Sequence, residues 1–384
     1  MEKTQLKKLA FYVFVDAFGY ESYKQHGFMK NTIKDIHPLK TVFGFSSAAD
    51  PSILTGRYPD EHGHWSSFYY SPKTSPFKTM KYFSFLPKKI FDRWRIRHWL
   101  SKIIAKIYRF TGYFEMYNIP FKYLPYFDYL EKQDYFVPGG ILQTDTIFDH
   151  CSENDIPYHC SNWRLPEENN IEIAKNIIQE GNIKFLYLYL PKLDAVMHQY
   201  GTEHNKVKEK LLWLEEELIK LLAIAKKTYD EINFYVISDH GMTNITNSVD
   251  LISQINKEKL DFGKDYIAMY DSTMARFWFL NNTAKEKITA ILSNIKEGYI
   301  VPEKELKDMH TFFKDHKFGE LYFLMHPGTL INPSYMGSNL LAGMHGFHPN
   351  DKSSDALIMA NKKIAANINS ITDIRKTMEM ELKQ

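Results

Sequence analysis

The sequence predicts an α/β protein whose sheet is doubly wound and mostly parallel, with helices on both faces and inserted cap segments. Two observations lead to this fold class: four short apolar runs, and an amphipathic helix between two of them. Continuous apolar runs are typical of parallel strands that are covered on both faces. The order strand, helix, strand predicts βαβ units, from which such sheets are built.

The four runs are expected to be buried parallel strands, and each ends at a polar residue or a proline. They are LAFYVFV at 9–15, KFLYLYL at 184–190, INFYVIS at 232–238 and DALIMA at 355–360. Between the second and third runs, apolar residues recur at spacings of 4, 3, 4, 3 and 4 from Val207 to Ala225. This periodicity predicts a helix that packs one face on the sheet.

Two stretches depart from this pattern. Residues 76–136 are rich in aromatic and basic side chains, and residues 256–335 mix a strand-like run, a helix-like run and proline-containing loops. We expect a core made of 1–75, 137–255 and 336–384, with an aromatic and basic cap inserted at 76–136 and a second insertion at 256–335.

Composition narrows the class of protein. The chain has 384 residues with 48 Lys and Arg against 46 Asp and Glu, so no nucleic acid duplex is expected as a partner. Its two cysteines, Cys151 and Cys160, exclude a disulfide scaffold and indicate a reduced, cytoplasmic setting. The apolar stretch near the N-terminus stops at Asp16, which favours a strand over a signal peptide, and no run has the length of a transmembrane helix.

Carboxylate and imidazole side chains adjoin the predicted strands. Ligands bind at the carboxyl ends of strands in such sheets, so these groups are expected to converge. They are Asp16, Asp194, His198, Asp239, His240 and His345. This ligand chemistry suits Zn²⁺, Mn²⁺ or Fe²⁺, and six ligands would fill two three-ligand sites. Paired metals of this kind hold the attacking and leaving oxygens in phosphoryl displacement.

A candidate nucleophile lies at the start of a predicted short helix. An apolar stretch ends at Phe45, and Ser46 and Ser47 open a helix that is expected to run through Leu54. A hydroxyl in this place lies at the positive end of the helix dipole, where a phosphate can bind and a metal can lower the hydroxyl pKa. The alternative is that Ser46 is only the N-cap of the helix.

Five motifs follow one another along the chain: V-D at 15–16, T-G-R-Y-P-D-E-H-G at 55–63, L-D-A-V-M-H-Q-Y-G at 193–201, S-D-H-G-M from 238 and M-H-G-F from 344. In sequence and order they resemble the alkaline phosphatase superfamily, in particular its type I phosphodiesterase / nucleotide pyrophosphatase branch. The resemblance covers the core and not the two insertions, and it implies an alkaline-phosphatase-like fold.

The resemblance also implies roles for individual residues. The family's nucleophile lies nine residues before the Thr of its T-G-x-Y-P motif, which is Ser46 in this chain. Many members have Thr-Phe-Pro-Asn there, whereas this chain has S-S-A-A at 46–49, so Ser47 stays an alternative. One metal would be held by Asp194, His198 and His345, and the other by Asp16, Asp239 and His240, with Ser46 bridging toward it. Zn²⁺ is the expected ion, with Mn²⁺ or Fe²⁺ as alternatives.

The function expected from this resemblance is hydrolysis of a phosphodiester or pyrophosphate bond through a phosphoseryl intermediate. An alternative use of the same site is a phosphomonoesterase, or a phosphoryl transferase like the metal-dependent phosphoglycerate mutases. A hypothesis of another class is a peripheral membrane or glycan-binding protein on a decayed hydrolase core, against which the complete set of six ligands argues. The Cys/Ser-x-Pro-x-Arg context of sulfatases does not occur in the sequence.

The cap insertion carries a local excess of positive charge. Residues 73–109 contain eleven Lys or Arg and one acid, Asp92, and residues 77–129 contain seventeen aromatic side chains. An apolar stripe at helical spacing runs from Ile96 to Ile107 among these basic residues. We expect a cap with its own aromatic core, whose basic groups attract a phosphate-bearing small molecule or a lipid- or glycan-linked phosphate. The same pattern suits peripheral contact with an anionic membrane through 76–136.

Overall fold

The computed structural model describes residues 7–85, 93–364 and 367–383. The strands are β1 Lys8–Val15, β2 Asp35–Leu39, β3 Phe68–Tyr70, β4 Phe127–Tyr129, β5 Tyr158–Cys160, β6 Phe185–Leu190, β7 Glu231–Ile237, β8 Thr243–Asn244, β9 Asn247–Val249, β10 Tyr266–Tyr270, β11 Met274–Phe279, β12 Gly298–Ile300, β13 Leu321–Met325, β14 Thr329–Ile331, β15 Gly343–Met344 and β16 Ala356–Ala360. The α-helices are α1 Tyr20–His26, α2 Ser46–Thr55, α3 Pro59–His62, α4 Trp94–Tyr108, α5 Ile147–Glu153, α6 Glu167–Glu180, α7 Lys192–Tyr200, α8 Asn205–Thr228, α9 Leu251–Asn256, α10 Asn282–Ser293, α11 Glu303–Asp308 and α12 Ile374–Leu382.

A six-stranded sheet with the order β2-β16-β7-β1-β6-β5 forms the centre of the molecule. Strands β5, β6, β1 and β7 are parallel to one another, which confirms the predicted fold class. The expectation that 355–360 is also a parallel strand is wrong, because β16 runs antiparallel to both β7 and β2. All five β16 residues are buried, so the strand has the continuous apolar pattern of a parallel strand whatever its direction.

Helices cover both faces of this sheet. The predicted helix between the second and third runs is α8, and its buried residues include Val207, Leu211, Leu214, Leu218, Leu221 and Ala225, the positions that the periodicity identified. Burying a leucine side chain contributes about 2 kcal/mol, so this row of residues holds α8 firmly against the sheet. On the opposite face, α2, α5 and α12 pack residues such as Ile53, Phe148 and Met378 into a second apolar cluster.

An antiparallel sheet with the order β10-β11-β13-β12 lies outside the central sheet. Its apolar side chains join those of β3 and β4 in one cluster that includes Phe68, Tyr129 and Phe277. The fully buried Arg276 of β11 connects the two regions, since it pairs with Asp271 and donates to the Phe68 carbonyl. The predicted division into a core, a cap at 76–136 and a second insertion at 256–335 stays a proposal.

Part of the apolar stripe of helix α4 is exposed. Its buried residues are Arg97, Ser101 and Ile104, whereas Trp99 and Ile107 of the apolar stripe are 62% and 66% exposed. Much of the aromatic content of the cap is buried, with Phe77, Phe121, Phe127 and Tyr129 among the buried residues. These side chains do not form the separate core of the cap that was expected, because they belong to the same cluster as the antiparallel sheet. The cap residues 86–92 lie outside the described part of the chain. Within the described part, no helix combines the length and apolarity needed to cross a membrane.

Candidate active site

Three of the six predicted ligands follow two adjacent parallel strands. Asp16 comes directly after β1, and Asp239 and His240 follow β7, which pairs with β1. His240 Nε2 lies 2.9 Å from Asp239 Oδ2 and 3.8 Å from Asp16 Oδ1, and the other Asp239 oxygen accepts a hydrogen bond from the Ala17 backbone. All three side chains are buried, so the parallel strand ends produce one compact cluster at the edge of the sheet.

A second cluster adjoins the first. Asp194 and His198 lie one turn apart on α7, as their spacing predicted, with 3.2 Å between Asp194 Oδ2 and His198 Nε2. His345 joins them from the segment between β15 and β16, with its Nε2 3.6 Å from Asp194 Oδ1. Because β16 is antiparallel, the chain enters it at the carboxyl edge of the parallel strands, and this brings the preceding segment to the site.

The histidine rings are held in defined orientations. His198 Nδ1 donates to the Gly343 carbonyl at 2.8 Å, and His240 Nδ1 donates to the Gly241 carbonyl at 2.9 Å. A carbonyl only accepts, so these contacts fix the proton on Nδ1 and leave Nε2 as the coordinating atom. The His345 ring stacks on His240 with ring centroids 3.7 Å apart, so the two clusters share a boundary.

A glycine is required beside His345. The Gly346 backbone has a φ of +85°, and a Cβ added there would lie 2.5 Å from the Phe45 ring. Phe45 in turn meets the His345 ring edge to face at 5.7 Å. The close approach places the M-H-G-F segment directly against the residue that precedes α2.

The orphaned polar atoms of the two clusters test whether divalent cations fit. Asp16 Oδ1, Asp194 Oδ1 and His345 Nδ1 are buried without a hydrogen-bond partner, and Asp239 Oδ2 has only the close contact with His240 Nε2, which does not form a hydrogen bond. Buried polar atoms in proteins are nearly always paired. Within each cluster, one ligand atom per residue lies within 4.8 Å of the others. The donor set contains carboxylates and imidazoles and no thiolate, so the residues fit two hard or borderline divalent cations.

The electrostatics of the two clusters also favour the binding of divalent cations. Burial raises the pKa of Asp16 well above its usual value, and the negative charges of Asp239 and Asp194 raise it further. Burial also raises the pKa of nearby Asp50, with Asp239 adding to the effect. Burial lowers the pKa of His240, but the Asp239 and Asp194 carboxylates and the Gly241 carbonyl together outweigh it and raise that pKa to about 9. Buried carboxylates that repel one another need positive charge to stay ionised together.

The candidate nucleophile faces the first cluster. Helix α2 begins at Ser46, and Ser46 Oγ lies 3.4 Å from His240 Nε2. Ser47 Oγ instead donates to the Trp65 carbonyl at 3.3 Å. Both serines line the same cavity, but only Ser46 among the two contacts a predicted metal ligand. The contacts therefore favour Ser46 over Ser47 as the reactive hydroxyl.

A cavity of about 550 Å³ extends from the two clusters under the cap. Tyr113, Tyr117, Tyr135 and Trp163 contribute aromatic side chains to its lining. The basic residues that were expected beside the site are not in this lining, which among the described residues contains no lysine or arginine. Its charged groups are the carboxylates Asp16, Asp50, Glu131, Asp194 and Asp271 together with the histidines.

Two features of the cavity were missed in the sequence. Tyr117 has a φ of +49°, a left-handed conformation that costs a non-glycine residue on the order of 1–3 kcal/mol. Hydrogen bonds on either side hold it there, from Met116 N to Ser101 Oγ and from Asn118 N to the Tyr335 carbonyl. A backbone strained in this way has no signature in the sequence, since tyrosine does not mark left-handed positions.

The second missed feature is the buried carboxyl of Glu131. It accepts a hydrogen bond from Ser67 Oγ at 2.5 Å, and within the described chain this is its single hydrogen-bond partner. Burial raises the pKa of Glu131 to about 7. The available signal was one acid within an aromatic stretch, which is too common a pattern to single out.

We expect Glu131→Gln to make the protein relatively more stable at high pH. The folded-state pKa of about 7 exceeds the ordinary value of 4.5, so the folding cost of ionising Glu131 is absent below pH 4.5 and complete above pH 7. At about 1.4 kcal/mol per pKa unit, that cost is on the order of 3 kcal/mol. Urea unfolding of both proteins at acidic and alkaline pH measures the change. Glu216→Gln, at an exposed position of α8, is the control. An equal effect of pH on its stability would contradict the assignment of the effect to the buried Glu131 carboxyl.

Comparison with known proteins supplies the family. The model of the type I phosphodiesterase / nucleotide pyrophosphatase family matches residues 26–348. No curated protein matches the sequence. Among solved structures, murine ectonucleotide pyrophosphatase / phosphodiesterase 5 superposes with a TM-score of 0.69 at 14% identity, covering 98% of this chain and 95% of that one.

Two further structures of that protein agree. An inactive form of the murine protein in complex with AMP gives a TM-score of 0.68 at 15% identity, covering 98% of this chain and 95% of that one. The human protein gives 0.67 at 12% identity, covering 97% and 94%. At these identities the likeness shows the fold, and the family assignment rests on the family model and agrees with the motifs in the sequence. This chain belongs to the type I phosphodiesterase / nucleotide pyrophosphatase family, and it is a hydrolase that acts on phosphoric ester bonds.

Proposed function

We propose that this protein cleaves a phosphodiester or pyrophosphate bond with Ser46 as the nucleophile. The observation that carries the proposal is the 3.4 Å contact between Ser46 Oγ and His240 Nε2 at the start of α2, beside two clusters suited to divalent cations. The AMP bound to the murine relative supports a nucleotide-type substrate as one candidate.

In the proposed cycle, Ser46 Oγ bonds to phosphorus while the bond from phosphorus to the leaving oxygen breaks, which gives a phosphoseryl ester. The leaving oxygen takes up a proton. Water then attacks the phosphoseryl ester, the Oγ–P bond breaks, and phosphate monoester or phosphate is released as Ser46 regains its hydroxyl proton. A hydroxyl at a helix N-terminus is a suitable nucleophile, because the positive end of the dipole favours the developing negative charge.

The residues proposed to hold the cations are the two clusters. Asp194, His198 and His345 would bind one ion, and Asp16, Asp239 and His240 the other, with Ser46 bridging toward the latter. When bound, the ions supply positive charge that stabilises the oxygens of the displacement and lowers the pKa of the attacking hydroxyl. Zn²⁺ is our first choice and Mn²⁺ or Fe²⁺ the alternatives, from the mixture of imidazole and carboxylate ligands.

A diester is the proposed substrate rather than a monoester. The charges of two divalent cations would be largely balanced by the Asp16, Asp194 and Asp239 carboxylates. The described lining of the cavity of about 550 Å³ has no lysine or arginine to neutralise the second negative charge of a monoester. Burying an unpaired charge is expensive, so the singly charged diester fits better. The same reasoning disfavours the phosphomonoesterase and the mutase-like transferase.

We therefore expect kcat/KM for bis(p-nitrophenyl) phosphate to exceed that for p-nitrophenyl phosphate by at least about tenfold, which corresponds to 1.4 kcal/mol in the barrier. Parallel assays at one pH with matched metal loading measure the ratio. A strong preference for the monoester would sink the diesterase proposal while leaving the nucleophile assignment intact.

The setting of the reaction is also a proposal. Cys151 and Cys160 are free thiols, which supports a reducing, cytoplasmic location. The natural substrate is proposed to be a phosphate-ester small molecule or a lipid- or glycan-linked phosphate, with peripheral membrane contact through 76–136. The rival hypothesis of a membrane or glycan-binding protein on a decayed core is disfavoured, because all six side chains are present and clustered.

A further inference from the structure

The outward side of α4 combines exposed apolar and basic side chains. We call it the aromatic–basic face and define it by Trp94, Arg95, Trp99, Lys102, Lys106 and Ile107. None of these six residues lines the cavity.

Helix α4 divides its apolar residues between the protein and its outward side. Arg97 and Ser101 point toward the protein, where Arg97 donates to the Ile119 carbonyl at 2.8 Å and Ser101 donates to Glu115 at 2.6 Å. By contrast, Ile96 and Ile103 of the apolar stripe belong to none of the three apolar clusters found among the described residues. Leu100 of the same stripe packs against the cluster that contains Phe277, whereas Trp99 and Ile107 face outward. A helix in water normally buries its apolar side, so these two exposed residues favour contact with an apolar phase.

Exposed apolar side chains are concentrated around α4. Trp94 is 69% exposed, and Tyr82 and Phe85, which precede the helix, are 66% and 80% exposed. Half of the large exposed hydrophobic side chains of the described chain lie within 82–113, and the rest are scattered. Scattered exposure is normal on protein surfaces, whereas a concentrated patch indicates an interaction site.

The charge of the face identifies the partner. Residues 93–109 contain six Lys or Arg and no acid, and Arg95, Lys102 and Lys106 form no ion pair with any described carboxylate. A second copy of this chain would bring like charges together at such a face. An anionic bilayer offers negative head groups for the basic side chains and an interior for the Trp and Ile side chains, which lie beside them on the same helix.

We propose that the aromatic–basic face docks on an anionic lipid bilayer, with α4 lying in the plane of the interface. The docking is independent of the hydrolytic function proposed above. One consequence rests on that function: the chain leaving α4 contributes Tyr113 and Tyr117 to the cavity, so a phosphate ester held in the same membrane would be presented near the cavity.

Sedimentation of the full chain with vesicles tests the docking. We expect binding to phosphatidylcholine vesicles that contain about one third phosphatidylserine, loss of binding in high salt, and a blue shift of Trp fluorescence on binding. Trp99→Glu with Ile107→Glu, and separately Lys102→Glu with Lys106→Glu, should each lower the bound fraction at least about tenfold. Absence of binding to the anionic vesicles, or equal binding to pure phosphatidylcholine, would overturn the proposal.

The matched control is Leu212→Glu with Ile219→Glu on α8, at positions that are 52% and 47% exposed. This pair should bind vesicles like the wild type; an equal loss of binding would mean that added negative charge alone explains the result, and would overturn the assignment to α4. All variants should hydrolyse soluble bis(p-nitrophenyl) phosphate at the wild-type rate. That assay separates failure of docking from failure of the proposed reaction, because none of the substituted residues lines the cavity.

Discussion

Ser46→Ala is expected to lower the turnover of bis(p-nitrophenyl) phosphate by at least about a thousandfold, because removing the nucleophile of a covalent mechanism removes most of the rate enhancement. The Ser46 hydroxyl lies 3.4 Å from His240 Nε2, and within the described residues its side chain forms no other hydrogen bond. Steady-state kinetics with metal-loaded protein measures the loss.

Ser47→Ala is the matched control. Its hydroxyl donates to the Trp65 carbonyl at 3.3 Å, so its removal should cost one neutral hydrogen bond, about 1 kcal/mol of stability, and leave most of the activity. Metal content should be close to that of the wild type in both variants, since the six other proposed ligands are unchanged. Full activity in Ser46→Ala, or a larger loss in Ser47→Ala, would move the nucleophile to Ser47 or exclude a seryl mechanism.

Removal of divalent metal is expected to abolish hydrolysis and to lower the midpoint of thermal unfolding by on the order of 10 °C. An ion present at a thousand times its dissociation constant stabilises the folded state by about 4 kcal/mol, and two such ions act on a chain of this length. When the metal is removed, the buried carboxylate oxygens of Asp16, Asp194 and Asp239 lose the positive charge that would neutralise them. Calorimetry before and after chelation and reloading gives the shift without reference to activity.

Asp239→Asn provides the comparison for this experiment. The substitution keeps the size of a fully buried side chain and removes one negative charge from the cluster with Asp16 and His240. We expect the response of the variant to metal to be roughly halved, because one of the two clusters loses a negatively charged ligand. If the midpoint of thermal unfolding of the wild type does not change with metal, and elemental analysis finds less than one bound ion per chain, the decayed-core hypothesis is favoured.

The sequence was most informative where local periodicity and tertiary position agree. Apolar spacing identified α8 residue by residue, because a helix on a sheet must bury one side. The polar residues after β1, β6 and β7 could be grouped since the ends of parallel strands meet at one edge, and the structure brings all six predicted ligands into two clusters. The assignment of Ser46 depended on motif spacing, and its contact with His240 is consistent with that assignment.

The sequence failed where the outcome depends on long-range context. The direction of β16 is invisible in an apolar run, and β2 contains Pro38 and is an edge strand without strong alternation. The apolar stripe of α4 was found correctly, but periodicity does not say whether the protein or another phase receives it. Glu131 and Tyr117 depend on burial and backbone strain that only the assembled cavity creates.

The antiparallel strand β16 has a consequence for when the site can form during synthesis. It inserts between β7 and β2, so β2, near the start of the chain, has no partner in the central sheet until residues 356–360 arrive. Pairings over such sequence distances are slow and come late in folding. The last strand therefore completes the sheet, and His345, which precedes this strand, reaches the other candidate ligands only when the strand pairs. A nascent or truncated chain would carry the two serines and most of the acidic groups, yet it would have no assembled centre with which to attack cellular phosphate esters.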